Sequence, residues 1–243
     1  MKSTLCLLLA SLMTSTVTAA TPPVPPDAAK HPHEVKAPFG ATRNDDYYWL
    51  RDDKRENKDM LAYLQAENAY TDQLLAPLKP LEDTLYKEIV GRIKQDDSSV
   101  PARERGYWYY SRYETGQDYP IHARRKGSME AAEEILLDVN TMAAGKGYFS
   151  VGAMEVSQDN QLLAWAHDDV GRRQYTIRLK DLATGMVLPD PIPGSSGHPV
   201  CADANPTVLY AENDPETLLT ARVQQHALGT PAHSHPVVHD HTA

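Results

Sequence analysis

Four sets of residues in this chain have types and spacings that could do chemistry. The first is Gly194-Ser195-Ser196-Gly197, the nearest approach to the G-x-S-x-G turn that lifts a nucleophilic serine above a sheet for acyl transfer. Neither serine has a glycine two residues away on both sides, so the spacing reads as a glycine-rich turn. Little chain follows it to carry an acid and a base in the order such a centre needs. The second is Cys201, in the apolar stretch Pro199-Val200-Cys201-Ala202 with no base beside it. That setting predicts a small buried hydrophobe rather than a nucleophile.

The third set is His233, His235, His239 and His241, two H-x-H pairs whose neutral imidazoles could bind zinc or copper. Pro236 interrupts them and no helix or hairpin is evident to hold their geometry, so a solvated tail is expected. The fourth is Tyr107, Trp108, Tyr109, Tyr110 and Tyr113 beside Arg112, Arg124, Arg125 and Lys126. Aromatic rings among cations can stack on single-stranded nucleic acid. Neighbours on a strand alternate faces, however, so half of these rings would enter a core, and strand packing is the expectation. The formal charge of −9 also argues against sequence-independent nucleic-acid binding, so no nucleic-acid partner is expected. No catalytic, cofactor or metal residue is therefore assigned.

The elements around these residues change character along the chain. From 21 to about 40, Pro22, Pro23, Pro25, Pro26, Pro32 and Pro38 predict an extended leader without regular structure. A helix is expected from about Asn57 to Leu75, with Met60, Leu61, Leu64, Ala69 and Leu74 on one stripe. Pro77 and Pro80 break it. A second helix has Pro80 in its first turn and ends near Arg92 and Lys94, with Leu81, Leu85, Ile89 and Ile93 recurring every fourth residue. Both stripes predict packing surfaces.

After Gln95 short strands take over, at Tyr107 to Arg112, Tyr119 to Arg125 and Glu134 to Val139, with turns at Thr115-Gly116 and Gly127-Ser128. A weak repeat follows at an offset of 45 residues: Val156 to Trp165 aligns with Cys201 to Tyr210, and Asp168-Asp169 with Asn213-Asp214. Arg173 to Asp181 and Ala221 to Leu228 would be the next strand of each unit. Multi-stranded units at this period suggest a β-propeller, and on periodicity alone a β-sandwich remains the alternative.

The first segment reads as a secretory signal. Lys2 precedes an apolar run from Leu5 to Leu12, and Val17-Thr18-Ala19-Ala20 offers a small-residue cleavage site, so residues 1 to 20 are expected to be removed and the protein exported. That run is too short to span a bilayer, and no other membrane span is expected. Cys6 would leave with it, so Cys201 could form no internal disulfide. With 41% hydrophobic and 23% charged residues, the whole sequence has the composition of a soluble globular protein.

Several stretches resemble, in the same order, the N-terminal region of the oligopeptidase B branch of the prolyl oligopeptidase family of serine peptidases. They include Ala66-Glu67-Asn68-Ala69-Tyr70-Thr71, Pro77-Leu78-Lys79-Pro80-Leu81, and Ile93-Lys94-Gln95-Asp96-Asp97-Ser98-Ser99-Val100-Pro101 running on to Gly106-Tyr107-Trp108-Tyr109-Tyr110-Ser111-Arg112. Tyr119-Pro120-Ile121, Arg124-Arg125-Lys126-Gly127-Ser128, Val170-Gly171-Arg172-Arg173-Gln174-Tyr175-Thr176, Lys180-Asp181-Leu182-Ala183-Thr184-Gly185 and Glu212-Asn213-Asp214-Pro215 continue it. The likeness spans about 22 to 230 and departs from the family where Cys201 replaces a tryptophan and Pro206 a charged residue.

The resemblance implies a seven-bladed propeller capping an α/β-hydrolase domain that carries the catalytic residues, in enzymes that cleave short peptides after Arg or Lys. The expected architecture is mainly β with N-terminal helices: a signal peptide at 1 to 20, a proline-rich leader and helical extension at 21 to 95, the first two or three blades of an incomplete propeller at 96 to 230, and a disordered His-rich tail at 231 to 243. The expected function is the propeller portion of such an endopeptidase, lacking the catalytic domain and inactive alone. The competing expectation is a non-enzymatic binding or assembly module that uses the helix stripe and open blade edges. No cofactor is expected; the expected partners are the catalytic domain and short basic peptides.

Overall fold

The computed structural model describes residues 22–52, 54–202, 207–231 and 236–241. The segment read as a signal peptide and the positions of Asn205, Pro206, His233 and His235 lie outside the described residues. The chain divides into two compact units, one ending at Ile93 and the other beginning at Lys94.

In the first unit, regular structure begins earlier than the prolines predict. Strand β1 (Glu34–Lys36) pairs antiparallel with β2 (Thr42–Asn44). Most of the prolines precede the pair and Pro38 falls in the turn between its strands, so none removes a ladder donor. Trp49 donates its indole N–H to the Ala29 carbonyl at 2.9 Å and meets Tyr63 edge-on at 5.9 Å. Helix α1 (Lys58–Leu75) starts where the Asn57 side chain accepts the backbone N–H groups of Asp59 and Met60. Helix α2 (Lys79–Gly91) carries Pro80 in its first turn, where the missing N–H leaves no bond unmade. It ends at Gly91, short of the expected Lys94. Leu81, Leu85, Ile89 and Ile93 are all about half exposed.

Among the described residues, the regular structure of the second unit is β except for one short helix, α3 (Val139–Ala143). Strands β3 (Ala102–Glu104), β4 (Tyr107–Arg112), β5 (Ile121–Lys126) and β6 (Glu133–Asp138) form a four-stranded antiparallel meander. Strands β7 (Ser150–Val156), β8 (Leu162–Asp168), β9 (Tyr175–Asp181) and β10 (Ile192–Ser195) form the next. A third holds β11 (Val200–Cys201), β12 (Thr207–Asn213), β13 (Thr220–Ala227) and β14 (Val237–Asp240). The second and third are stitched by one bridge, Ser195 to Glu212.

These are three blades of an incomplete propeller, and the 45-residue offset superposes β8 on β12 and the start of β9 on that of β13. Even the turn bonds repeat: Ser157 N–H donates to the Leu162 carbonyl and Ala202 N–H to the Thr207 carbonyl.

Strand β14 corrects the expectation of a disordered tail. Val237 and Val238 favour a pleated conformation, and β13 offers them a free edge.

The core sits between blades. On β8, Leu163 and Trp165 face Leu136, Leu137, Phe149 and Val156, while Ala164 and Ala166 belong to the clusters that include Leu179, Val208, Ile177, Ile192 and Tyr210. Both faces of β8 are therefore covered, which is why it reads as a continuous apolar run. Fully burying a leucine such as Leu163 contributes roughly 2 kcal/mol.

Candidate functional site

The serine turn is structural. Ser195 lies on β10 with no exposed surface; its hydroxyl donates to the Tyr175 carbonyl at 3.2 Å and accepts the Gly197 N–H at 3.2 Å. Gly197 has φ +91°, and a Cβ there would stand 2.8 Å from the Tyr175 ring. Its carbonyl also accepts the Ala153 N–H of β7 at 2.9 Å. The glycine thus lets the chain cross between blades two and three at close quarters. His198 turns its Nδ1 to the Ser196 carbonyl, 3.3 Å away.

Cys201 is buried, and burial, with Glu155 adding to it, pushes its thiol up to about 11. A thiol held protonated is a poor nucleophile. His239 and His241 belong to the segment at the outer edge of blade three. No group of three or more metal-binding side chains occurs among the described residues.

The aromatic and basic residues divide between the two faces of blade one, as alternation requires. Tyr109 packs on the core between blades one and two, and Tyr107 lies under Arg124, whose guanidinium carbon is 4.0 Å from the ring centre. On the other face, Arg112 grips Glu133 with two bonds of 3.0 Å, and the Tyr110 hydroxyl donates to the same carboxylate at 2.6 Å. Arg112 foremost holds the Glu133 carboxyl below the usual carboxylate range, and Glu133 in turn raises Arg112. Arg125 donates to the Tyr110 hydroxyl at 2.8 Å. These groups are engaged with one another rather than presented as a stacking surface.

The first two blades are joined by cations that reach carbonyls across the gap. Arg105 donates to the Val156 carbonyl at 2.9 Å, Arg124 to that of Asn160 at 3.2 Å, and Lys180 to that of Leu136 at 2.9 Å. Burial holds Lys180 below the ordinary lysine range. Beside this joint a cleft of about 460 Å³ opens among the turns of both blades, with Tyr107, Lys126, Glu134, Asp159 and Leu182 on its walls.

At the other end of the strands a smaller hollow of about 280 Å³ lies against Asp169, Arg173, Gly194 and Asp214. The buried Asp168 beside it accepts the N–H groups of Val170, Gly171 and Arg173 at 2.9, 3.0 and 2.7 Å. Sequence reasoning noted Asp168 as part of a repeat and missed this role. The signal was the Asp-Asp-Val-Gly turn between two apolar runs, where an aspartate bonds its own following backbone.

Residues 26–242 match the family described as prolyl oligopeptidase, N-terminal β-propeller domain. The chain is 58% identical to dipeptidyl aminopeptidase BI of Pseudoxanthomonas mexicana over 258 aligned residues, covering 99% of this chain and 36% of that protein. It is 33% identical to protease 2 of Moraxella lacunata, covering 86% of this chain and 30% of the relative. Among solved structures, oligopeptidase B from Leishmania major superposes with a TM-score of 0.83 at 29% identity, over 90% of this chain and 33% of that one. The chain thus spans about a third of the length of these relatives. A match this long, together with three meander blades behind a helical extension, means that the chain belongs to the prolyl oligopeptidase family and carries its N-terminal β-propeller domain.

Proposed function

We propose that this chain supplies the propeller portion of an exported serine peptidase of the prolyl oligopeptidase family. In that role it restricts a separate α/β-hydrolase domain to short peptides and carries no hydrolytic centre of its own. The observation that carries this reading is the fate of Ser195. The serine nearest to a nucleophile turn is sealed, with its hydroxyl spent on the Tyr175 carbonyl and the Gly197 N–H. A nucleophile needs a free lone pair, a base within hydrogen-bond reach and an open approach.

The substrate proposal is short peptides with basic residues, cut after Arg or Lys. The relative named as a dipeptidyl aminopeptidase, matched over almost the whole chain, favours removal of dipeptides from the peptide's N-terminus as the mode of attack. Export rests on Lys2, the Leu5 to Leu12 run and Ala19-Ala20.

Two experiments test the reading. The purified chain is expected to turn over neither an arginyl amide nor a dipeptidyl amide and to take no label from a fluorophosphonate probe; labelling at Ser195 would overturn it. Exchanged for the matching region of the Pseudoxanthomonas mexicana relative, residues 22–241 are expected to support dipeptidyl-amide hydrolysis. A soluble, folded chimera without activity would refute the assignment.

A further inference from the structure

The cleft between blades one and two has an uncommon charge pattern. Its volume of about 460 Å³ falls in the range of small-molecule sites, roughly 300–1,000 Å³. The charge at its floor is already matched: Arg124, only 3% exposed, bonds Glu134 at 2.8 Å and lies over the Tyr107 ring. Arg105 pairs with Glu104 and reaches the Val156 carbonyl. Two wall groups, one of each sign, form no ion pair among the described residues. Lys126, at the end of β5, has its ammonium 5.9 Å from the Tyr107 ring centre. Asp159, in the turn after β7, accepts the Ser157 hydroxyl at 2.5 Å and the Gln161 N–H at 3.0 Å. Leu182 and Ala183 add an apolar wall.

We propose that this cleft binds a short zwitterionic peptide of about dipeptide size, Lys126 taking its free carboxylate and Asp159 its free ammonium. The inference rests on the peptidase reading above, since such zwitterions are what peptide hydrolysis releases. Neither group must leave an ion partner to meet the ligand, so binding breaks no existing pair. A ligand with one blocked end leaves one of the two charges unmatched.

The test titrates alanyl-leucine into the full chain, followed by amide chemical shifts, against N-acetyl-alanyl-leucine, alanyl-leucine amide and inorganic phosphate. Saturable binding is expected for the free dipeptide. Each blocked form, and each of the variants Lys126→Met and Asp159→Asn, is expected to bind about fivefold more weakly, as for a partly exposed ion pair. Lys126→Met is further expected to bind the amide as the unaltered chain does, since the contact is already lost. Both side chains are exposed, so the variants keep the fold. No saturation by about 10 mM, equal binding of blocked and free dipeptides, or phosphate binding as tightly as the dipeptide would each overturn the proposal. The domain exchange is assayed with Lys126 and Asp159 unaltered, whereas the titration reads dipeptide binding by the chain itself, so the two readings fail separately.

Discussion

Replacing Asp168 by alanine isolates what one carboxylate contributes to blade two. The side chain is 1% exposed and accepts three backbone N–H groups of the β8–β9 turn, at 2.9, 3.0 and 2.7 Å. A lost bond of this kind costs about 1 kcal/mol when water can reach the freed donor and more when it cannot. Val170, Gly171 and Arg173 are exposed, so the lower figure applies to each, and Asp168→Ala should cost about 3 kcal/mol. Asp168→Asn keeps an oxygen for Val170 and Gly171 but turns an amide toward the Arg173 N–H, so about half that loss is expected. Urea unfolding reports this through Trp165, which is 4% exposed on the same strand. A loss below about 1 kcal/mol for the alanine variant, or equal losses for both variants, would refute the reasoning.

Gly197→Ala should destabilise by roughly 3 kcal/mol, because it combines a φ of +91° with a Cβ 2.8 Å from Tyr175; a urea midpoint unchanged from wild type would contradict the packing described. Burial lowers the pKa of His122 and His167, so both stay neutral in the fold while the unfolded chain takes up protons. Stability is thus complete above about pH 6.5 and falls as pH drops below it. Urea midpoints at pH 8 and 5.5 check this, and an unchanged value would count against it. The Arg112-bound Glu133 acts lower: its contribution is present above about pH 4.3 and is lost as pH falls through its depressed folded value. Glu133→Gln should flatten the stability profile there and leave the histidine step intact. The double change Leu85→Glu with Ile89→Glu should scarcely move the unfolding midpoint, since both side chains are about half exposed, while reducing binding of a hydrophobic dye.

Much of the blade structure could be read from residue order because each strand carries its own pattern. Leu163-Ala164-Trp165-Ala166 is apolar throughout since both faces of β8 are covered, and β4 alternates rings between two faces. The 45-residue offset was visible in Asn160, Trp165 and their counterparts because β8 and β12 have the same length and the turns that follow them are equally long. The β1–β2 pair and β14 were not visible. Each is a strand of three or four residues whose pairing depends on a distant edge rather than on its own sequence. The cleft was hidden for a similar reason. Lys126 and Asp159 stand in different blades, and only the packing of one meander on the next puts both on its walls.

Under the proposed function, residues 22–241 act as a propeller that admits short peptides to a catalytic α/β-hydrolase domain. Size selectivity of the exchange with the Pseudoxanthomonas mexicana relative measures it most directly. The chimera is expected to hydrolyse a dipeptidyl amide and leave unfolded casein intact; casein degradation, or a folded chimera with no turnover of the amide, would contradict it.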